Sequence, residues 1–168
     1  RKSRVPWVRI YNPDKSPSAR QGFYLVYLFS ADGQRVHLSL NQGTTKMTGS
    51  SLQKLPDSFI DDRRSQVRQL LGSQLESLVQ TITLADNGGL GDGYERGHIA
   101  GWTYDINAMP SDEALRNDLQ QAEDLLNILY NSTISSEGRH DDNALAELAE
   151  NLYLDSDTYL KQIVELLD

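Results

Sequence analysis

FYLVYLFSADGQRVHLSL, residues 23–40, is the stretch of sequence that decides the fold. Its first seven residues form a nearly continuous apolar run with aromatic and β-branched side chains, which is typical of a strand. The Asp32-Gly33 pair favours the backbone conformations of a tight turn between antiparallel strands. Residues 35–40 then resume strand composition. The sequence therefore predicts a β-hairpin, with the rest of the domain arranged around it.

Two further segments have strand composition. Residues 5–11, VPWVRIY, precede the hairpin, and residues 98–106, HIAGWTYDI, follow it at a distance, although Gly101 weakens the second strand. The segments between the predicted elements are rich in Gly, Pro, Ser, Asn and Asp, which favour turns and irregular structure. We therefore expect loops at residues 12–22, 41–51 and 85–93.

Two long helices are predicted from helical spacing of apolar residues. The first begins near Ser58, which forms a capping-box pattern with Asp61; its apolar positions are Val67, Leu70, Leu71, Leu75, Leu78, Val79 and Ile82. The second opens at residues 110–113, PSDE, where acidic side chains suit a helix N-terminus. The pattern predicts an α/β protein of the mixed α+β class: a small curved mixed β-sheet flanked by two long helices.

The end of the chain is predicted to be a separate region. Residues 132–143 form a polar linker, and residues 144–154 and 157–168 have the apolar spacing of two short amphipathic helices. This short helical C-terminal appendage has too little apolar surface to fold alone. We therefore expect one domain at residues 1–131.

Composition excludes several classes of protein. The chain has no Cys, which removes disulfides, Cys-ligated zinc and a thiol nucleophile. No apolar run approaches the ~20 residues that a membrane-spanning helix needs, so we expect a cytoplasmic protein with no membrane contact. The first 70 residues carry 12 Lys and Arg side chains against five acidic ones, although the whole chain has a net charge of −8. Acidic surface commonly keeps a protein soluble, so charge alone leaves a nucleic-acid partner open.

The motifs of common enzyme classes are missing. Residues 43–51, GTTKMTGSS, lack the Lys that a phosphate-binding P-loop requires after its second Gly, and residues 88–97, GGLGDGYERG, have the wrong Gly spacing for dinucleotide binding. The three His residues are scattered, and the acidic pairs at residues 61–62 and 141–142 lack further ligands at metal-binding spacing. We therefore expect no catalytic residue, no metal and no cofactor in this chain, which by itself would not be an enzyme.

The residues from 5 to 45, VPWVRIYNPDKSPSARQGFYLVYLFSADGQRVHLSLNQGTT, resemble the amino-terminal domain of McrB-like proteins, the specificity subunits of modification-dependent restriction systems. The match is carried by Pro6-Trp7, by residues 22–29 and by residues 38–43. Residues 110–130 are also similar to that family. The tail at residues 144–168 resembles the lead-in to the family's AAA+ motor, and would then be the start of a motor region.

The resemblance implies a domain that binds double-stranded DNA carrying a methylated cytosine. The modified base would be flipped out of the duplex into a pocket of aromatic and aliphatic side chains. By position, the pocket residues are Trp7, Tyr24 and Leu28, with Tyr94 as a fourth wall. GTP and Mg²⁺ would belong to the motor region, which forms the motor oligomer, and a separate nuclease subunit would cut the DNA.

The residue chemistry is compatible with that pocket. Tyr24 and Leu28 lie on one face of the predicted strand because side chains alternate along a strand, and aromatic rings stack well on bases. On residue chemistry alone, however, Trp7, Tyr24 and Leu28 are more typical of an ordinary core. Contacts to the DNA backbone are expected from long cations in or beside loops, namely Arg4, Lys15, Arg20 and Lys46.

A second function stays open at this point. The aromatic strand faces also suit a protein-interaction or regulatory domain of an AAA+ motor that does not contact DNA. The acidic residues after position 70 favour that alternative.

Overall fold

The computed structural model of the chain describes residues 4–86 and 91–134. The helices and strands are, in order, β1 (Trp7–Ile10), β2 (Phe23–Phe29), β3 (Arg35–Gln42), β4 (Thr45–Thr48), β5 (Ser51–Lys54), α1 (Asp57–Leu71), α2 (Gly91–Gly97), β6 (His98–Asp105) and α3 (Asp112–Tyr130). The mixed α+β class is confirmed. The two helices expected at residues 144–154 and 157–168, and most of the linker before them, lie outside the described residues.

The main sheet has four strands in the order β1-β2-β3-β6. The hairpin predicted at residues 23–40 is confirmed, with Phe29 paired to Val36 across a loop in which the Asp32 carboxylate accepts hydrogen bonds from the Ser30 hydroxyl and the Gln34 amide. All three strand pairings are antiparallel, where the sequence had suggested a mixed sheet. The turns and helices between successive strands of this sheet reverse the direction of the chain, as antiparallel pairing requires.

The two faces of the sheet are covered differently. Phe23 and Leu25 of β2 belong to the larger core, which contains Val67 and Leu71 of α1 and the buried residues of α3. Tyr24 and Leu28 belong to a smaller cluster on the other face, completed by Val5, Val26, Ile82 and Leu84. The alternation expected along β2 is therefore confirmed. The smaller cluster lies on the face that carries the predicted pocket residues.

Helix α3 agrees with its prediction. Ser111 caps it, its hydroxyl accepting a hydrogen bond from the Ala114 amide at 3.2 Å. Leu125 and Leu129 are almost completely buried against the sheet. The Tyr130 hydroxyl donates a 2.7 Å hydrogen bond to the carbonyl of Phe23, which ties the end of the domain to the strand at its centre.

Helix α1 differs from its prediction at both ends. It begins at Asp57, and neither Ser58 nor another side chain caps it. It ends at Leu71, where Gly72 takes a φ of 53°, a backbone conformation outside the helix that glycine adopts readily. A short 3-10 turn follows, and Val79 forms an isolated bridge with Gly101 of β6. The helix expected up to Ile82 is therefore wrong, although Ile82 is buried.

Two expected loops contain regular structure. Within residues 41–51, β3 extends to Gln42 and a second hairpin, β4–β5, follows. Its two-residue turn is Gly49-Ser50, and Gly49 has a φ of 59°; Gly at the first turn position is a recognised hairpin pattern. The loop expected at residues 85–93 instead gives way to α2 at Gly91.

Candidate functional site

A cavity of about 400 Å³ opens on the sheet face opposite α1 and α3. Five segments line it: β1, the loop before β2, β2, the β4–β5 hairpin with the residue preceding it, and α2. The lining residues are Trp7, Ala19, Arg20, Tyr24, Thr44, Thr45, Leu52, Gln53, Lys54, Asp92, Gly93 and Tyr94. Its volume is within the range of cavities that bind small molecules, roughly 300–1,000 Å³.

The sheet register brings the aromatic residues together. Trp7 pairs with Leu28 across β1 and β2, so its side chain lies on the same face as Tyr24. Trp7 is 44% exposed, and its ring centroid lies 6.3 Å from that of Tyr94, with the ring planes inclined by 47°. Trp7, Tyr24 and Tyr94 therefore line one concavity, although they come from three separate elements.

Tyr24 lies deepest among these aromatic residues. It is only 2% exposed, and its hydroxyl donates a hydrogen bond of 3.5 Å to the carbonyl of Gln42. The guanidinium of Arg9 lies 5.5 Å from its ring centroid, within the distance of a cation–π contact. Burial raises the pKa of Tyr24, and the neighbouring Tyr94 adds to the rise. The phenol is therefore uncharged at neutral pH.

Helix α2 positions Tyr94 through close contacts with β3. The Asn41 amide nitrogen donates a 3.0 Å hydrogen bond to the backbone carbonyl of Tyr94. Gly97 packs so closely that an added methyl group would overlap the side-chain oxygen of Asn41 and lie 2.7 Å from the carbonyl of Gln42. Asn41 and Gly97 were not among the predicted site residues, because the contact between them exists only in the tertiary structure.

Asn41 belongs to a buried polar network beneath the cavity. Its amide nitrogen also contacts the Ser39 hydroxyl at 3.0 Å, and Ser39 lies 2.7 Å from Nδ1 of His98. Nε2 of His98 lies 3.0 Å from the carbonyl of Val79. A carbonyl only accepts, so Nε2 carries the proton and Nδ1 accepts from Ser39.

The Ser39–His98 pair is structural. Burial lowers the pKa of His98 to about 4, so the ring is neutral near pH 7. Ser39 and His98 are 0% and 2% exposed, respectively. A nucleophile must reach its substrate, and this hydroxyl has no contact with solvent. The pair instead holds Asn41, which in turn orients Tyr94.

The predicted DNA-backbone cations are distributed unevenly around the cavity. Arg20 lines it directly, and Lys46 lies on β4 next to the lining residue Thr45. Arg4 and Lys15 do not line it; the Arg4 side chain is 70% exposed and lies 3.6 Å from a carboxylate oxygen of Asp86. Lys54, which the sequence analysis did not select, lines the cavity and pairs with Asp92 at 2.7 Å.

Leu28 lies in a different environment from the other three predicted pocket residues. It is completely buried in the smaller cluster and does not line the cavity. The aliphatic part of the lining comes instead from Leu52 of β5, which is 57% exposed, and from Ala19. The Gly49-Ser50 turn was the pattern that could have identified the hairpin carrying Leu52.

Neither a metal site nor a membrane-spanning helix is found among the described residues. Within residues 4–86 and 91–134, no group of three or more His, Asp or Glu side chains is arranged to hold a metal ion. Over the same residues, no helix has the length and apolar character needed to cross a membrane.

Comparison with known proteins identifies the family. A family model described as the MrcB-like, N-terminal domain matches residues 1–131. Comparisons with curated proteins and with solved structures found no match. The family match covers most of the chain and agrees with the resemblance to McrB-like proteins; the motor lead-in at residues 144–168 stays a prediction. The chain therefore belongs to the family of MrcB-like N-terminal domains.

Proposed function

We propose that this domain binds double-stranded DNA carrying a modified base and serves as the specificity domain of a modification-dependent restriction system. The modified base, a methylated cytosine, would be flipped from the duplex into the cavity. The observation that carries the proposal is the cavity of about 400 Å³ lined by Trp7, Tyr24 and Tyr94, with Arg20 and Lys54 also in its lining.

The lining suits an uncharged, flat ligand. Flipping a base costs a few kcal/mol of lost stacking and pairing, while stacking on an aromatic side chain returns roughly 1–3 kcal/mol per base. Trp7, which is partly exposed and lines the cavity, is accessible for such stacking. Thr44 and Gln53 offer hydrogen-bonding groups for the polar edge of a base, and Leu52 offers an apolar contact for a methyl group.

The basic residues supply contacts to phosphates. Arg20 lies in the cavity lining, and Lys46 lies on β4 next to the lining residue Thr45, so Arg20 would reach a phosphate of the flipped nucleotide and Lys46 a phosphate farther along the backbone. Arg4 and Lys15 extend the same role away from the cavity. Such contacts position a protein on DNA without reading its sequence.

The domain on its own would carry out no reaction. In this proposal it needs no cofactor, because GTP and Mg²⁺ act in the motor region and a separate nuclease subunit cuts the DNA. The domain would supply the choice of target, acting in the cytoplasm as part of the motor oligomer.

The proposal is tested by fluorescence anisotropy with matched methylated and unmethylated duplexes at about 50 and 200 mM salt. The wild-type domain should prefer the methylated duplex and bind both more weakly at the higher salt. Trp7→Ala should remove the preference, with a loss of about 5- to 150-fold for the methylated duplex, the equivalent of one base stack. Its circular dichroism should stay native because the ring is partly exposed.

Val8→Ala is the matched control. Val8 is the next residue of the same strand and is 56% exposed, but it pairs with Tyr27 on the other sheet face. It should leave DNA binding unchanged. If the wild-type domain bound neither duplex at low salt, the proposal would be wrong, and the alternative of a protein-docking domain of the motor would gain support.

A further inference from the structure

An exposed ion pair joins two walls of the cavity. Nζ of Lys54, at the end of β5, lies 2.7 Å from Oδ2 of Asp92 in α2, and both residues line the cavity. Their side chains are 70% and 43% exposed, so a ligand in the cavity can reach them. Among the described lining residues, Asp92 is the only acidic one. Because a carboxylate repels phosphates, its place in the lining points to a role toward another part of the ligand.

The ion pair keeps free hydrogen-bonding capacity. An ionised carboxylate only accepts hydrogen bonds, and an ammonium group only donates them. Lys54 donates to Oδ2 of Asp92, which leaves Oδ1 without a hydrogen-bond partner among the described residues. The hydrogen bond from Lys54 also lowers the pKa of Asp92, so the carboxylate is ionised at neutral pH. The pair therefore presents an acceptor directly beside a donor.

The aromatic and apolar walls cannot distinguish methylcytosine from thymine. The two bases have the same ring size and carry the same 5-methyl group, so Trp7, Tyr24 and Leu52 would contact them alike. The bases differ on the pairing edge. Cytosine has the donor N4 beside the acceptor N3, whereas thymine has the acceptor O4 beside a donor at N3. Thr44 and Gln53 can each donate and accept, so they suit both edges.

We propose that the Lys54–Asp92 pair selects cytosine bases over thymine, with Asp92 accepting a hydrogen bond from N4 and Lys54 donating one to N3; this rests on the proposed function. The acceptor and donor of the pair complement the edge of cytosine. Thymine would place O4 against the carboxylate and an N–H against the ammonium group. Acidic side chains accept from N4 of cytosine in DNA recognition, and flipped bases are read at the pairing edge.

The position of Leu52 supports this orientation of the base. Leu52 and Lys54 are two residues apart on β5, so their side chains share one face of the hairpin. On methylcytosine, the 5-methyl group and N4 are attached to neighbouring ring atoms. A methyl group in contact with Leu52 would therefore direct N4 toward Lys54 and Asp92.

The test measures the preference between the two bases by fluorescence anisotropy, with 5-methylcytosine or thymine placed opposite an abasic site. Neither base is then paired, so the difference in pairing energy is removed. The wild-type domain should bind the methylcytosine duplex about 5- to 150-fold more tightly, the range for two well-placed hydrogen bonds. Asp92→Asn should lose most of this preference, because a carboxamide can donate to O4 as well as accept from N4.

Matched variants separate base selection from charge and folding. Asp61→Asn makes the same change in an exposed ion pair on α1 and should keep the wild-type preference. Lys46→Gln and Lys54→Gln each remove one positive charge from the hairpin. Only Lys54→Gln should reduce the preference, because Lys46 does not line the cavity. The circular dichroism of Asp92→Asn should stay native, since this side chain is partly exposed.

An unchanged preference in Asp92→Asn would overturn the inference. An equal loss of affinity for both duplexes would also overturn it, and would leave the ion pair as a link between the hairpin and α2. Equal binding of the two duplexes by the wild-type domain would overturn it as well. None of these results contradicts the proposed function, which fails instead if the wild-type domain does not distinguish methylated from unmethylated cytosine.

Discussion

Acid should destabilise this domain by protonating His98, over a pH range that is set by the burial of the His98 side chain. The imidazole is 2% exposed and is neutral when folded, with its pKa lowered to about 4 from an ordinary value of 6.5. Protonation would place a charge in the core and a second N–H against the Ser39 hydroxyl. Since the unfolded chain binds the proton at the higher pH, the stabilisation is complete above pH 6.5 and is lost as the pH falls toward 4.

The size of the effect follows from the pKa difference. Each pKa unit corresponds to about 1.4 kcal/mol, so the complete loss is on the order of 3 kcal/mol. About 2 kcal/mol of this falls between pH 7 and pH 5, before most carboxylates protonate. Burial also lowers the pKa of His37, so protonation of His37 should likewise reduce the free energy of unfolding as the pH falls below neutrality.

Urea unfolding followed by circular dichroism at pH 7, 6 and 5 measures the loss. The wild-type free energy of unfolding should fall across this series. His98→Gln should be less stable at pH 7, since it disturbs the bonds to Ser39 and Val79, but its stability should depend less on pH. Equal losses for the two proteins between pH 7 and pH 5 would refute the assignment to His98.

Four further predictions concern packing, salt dependence and domain extent. Leu28→Ala should lower the free energy of unfolding by about 2–5 kcal/mol in urea titrations, because Leu28 is fully buried; a cost below about 1 kcal/mol would contradict core packing. Gly97→Ala should lower both the DNA affinity and the free energy of unfolding, since its methyl group would overlap Asn41. DNA titrations and urea titrations measure the two quantities. Wild-type values of both would show that α2 can shift freely. Arg20→Gln should reduce the slope of log affinity against log salt concentration by about one, and an unaltered slope would contradict a phosphate contact. Removing residues 133–168 should leave the DNA affinity unchanged, and a loss of binding would contradict the predicted domain boundary.

Local patterns in the sequence were sufficient for several elements. The β2–β3 hairpin, the capped start of α3 at Ser111 and the two faces of β2 all follow from interactions between residues a few positions apart. Turn chemistry, capping and side-chain alternation act over that range. The β4–β5 hairpin had such a pattern in Gly49-Ser50, which the high density of turn-forming residues around it obscured.

The end of α1 was decided by tertiary contacts as well as by Gly72. The apolar spacing continues to Ile82, and Leu75, Leu78 and Ile82 do become buried after the helix ends. Val79 bonds to Gly101 of β6, and Ile82 joins the cluster under the cavity. Periodicity indicates a set of residues of which most are buried, as Leu70 and Val79 are not, and several chain paths can bury the same residues.

The sequence by itself determined the class of fold, the family and the face of β2 on which Tyr24 lies. Only the tertiary structure decided which side chains on that face are accessible. Leu28 is covered in a cluster with Ile82 and Leu84, whereas Trp7 on the edge strand β1 stays partly exposed and lines the cavity with Tyr94. Strand alternation sets the direction of a side chain, but its burial depends on what distant segments place over it.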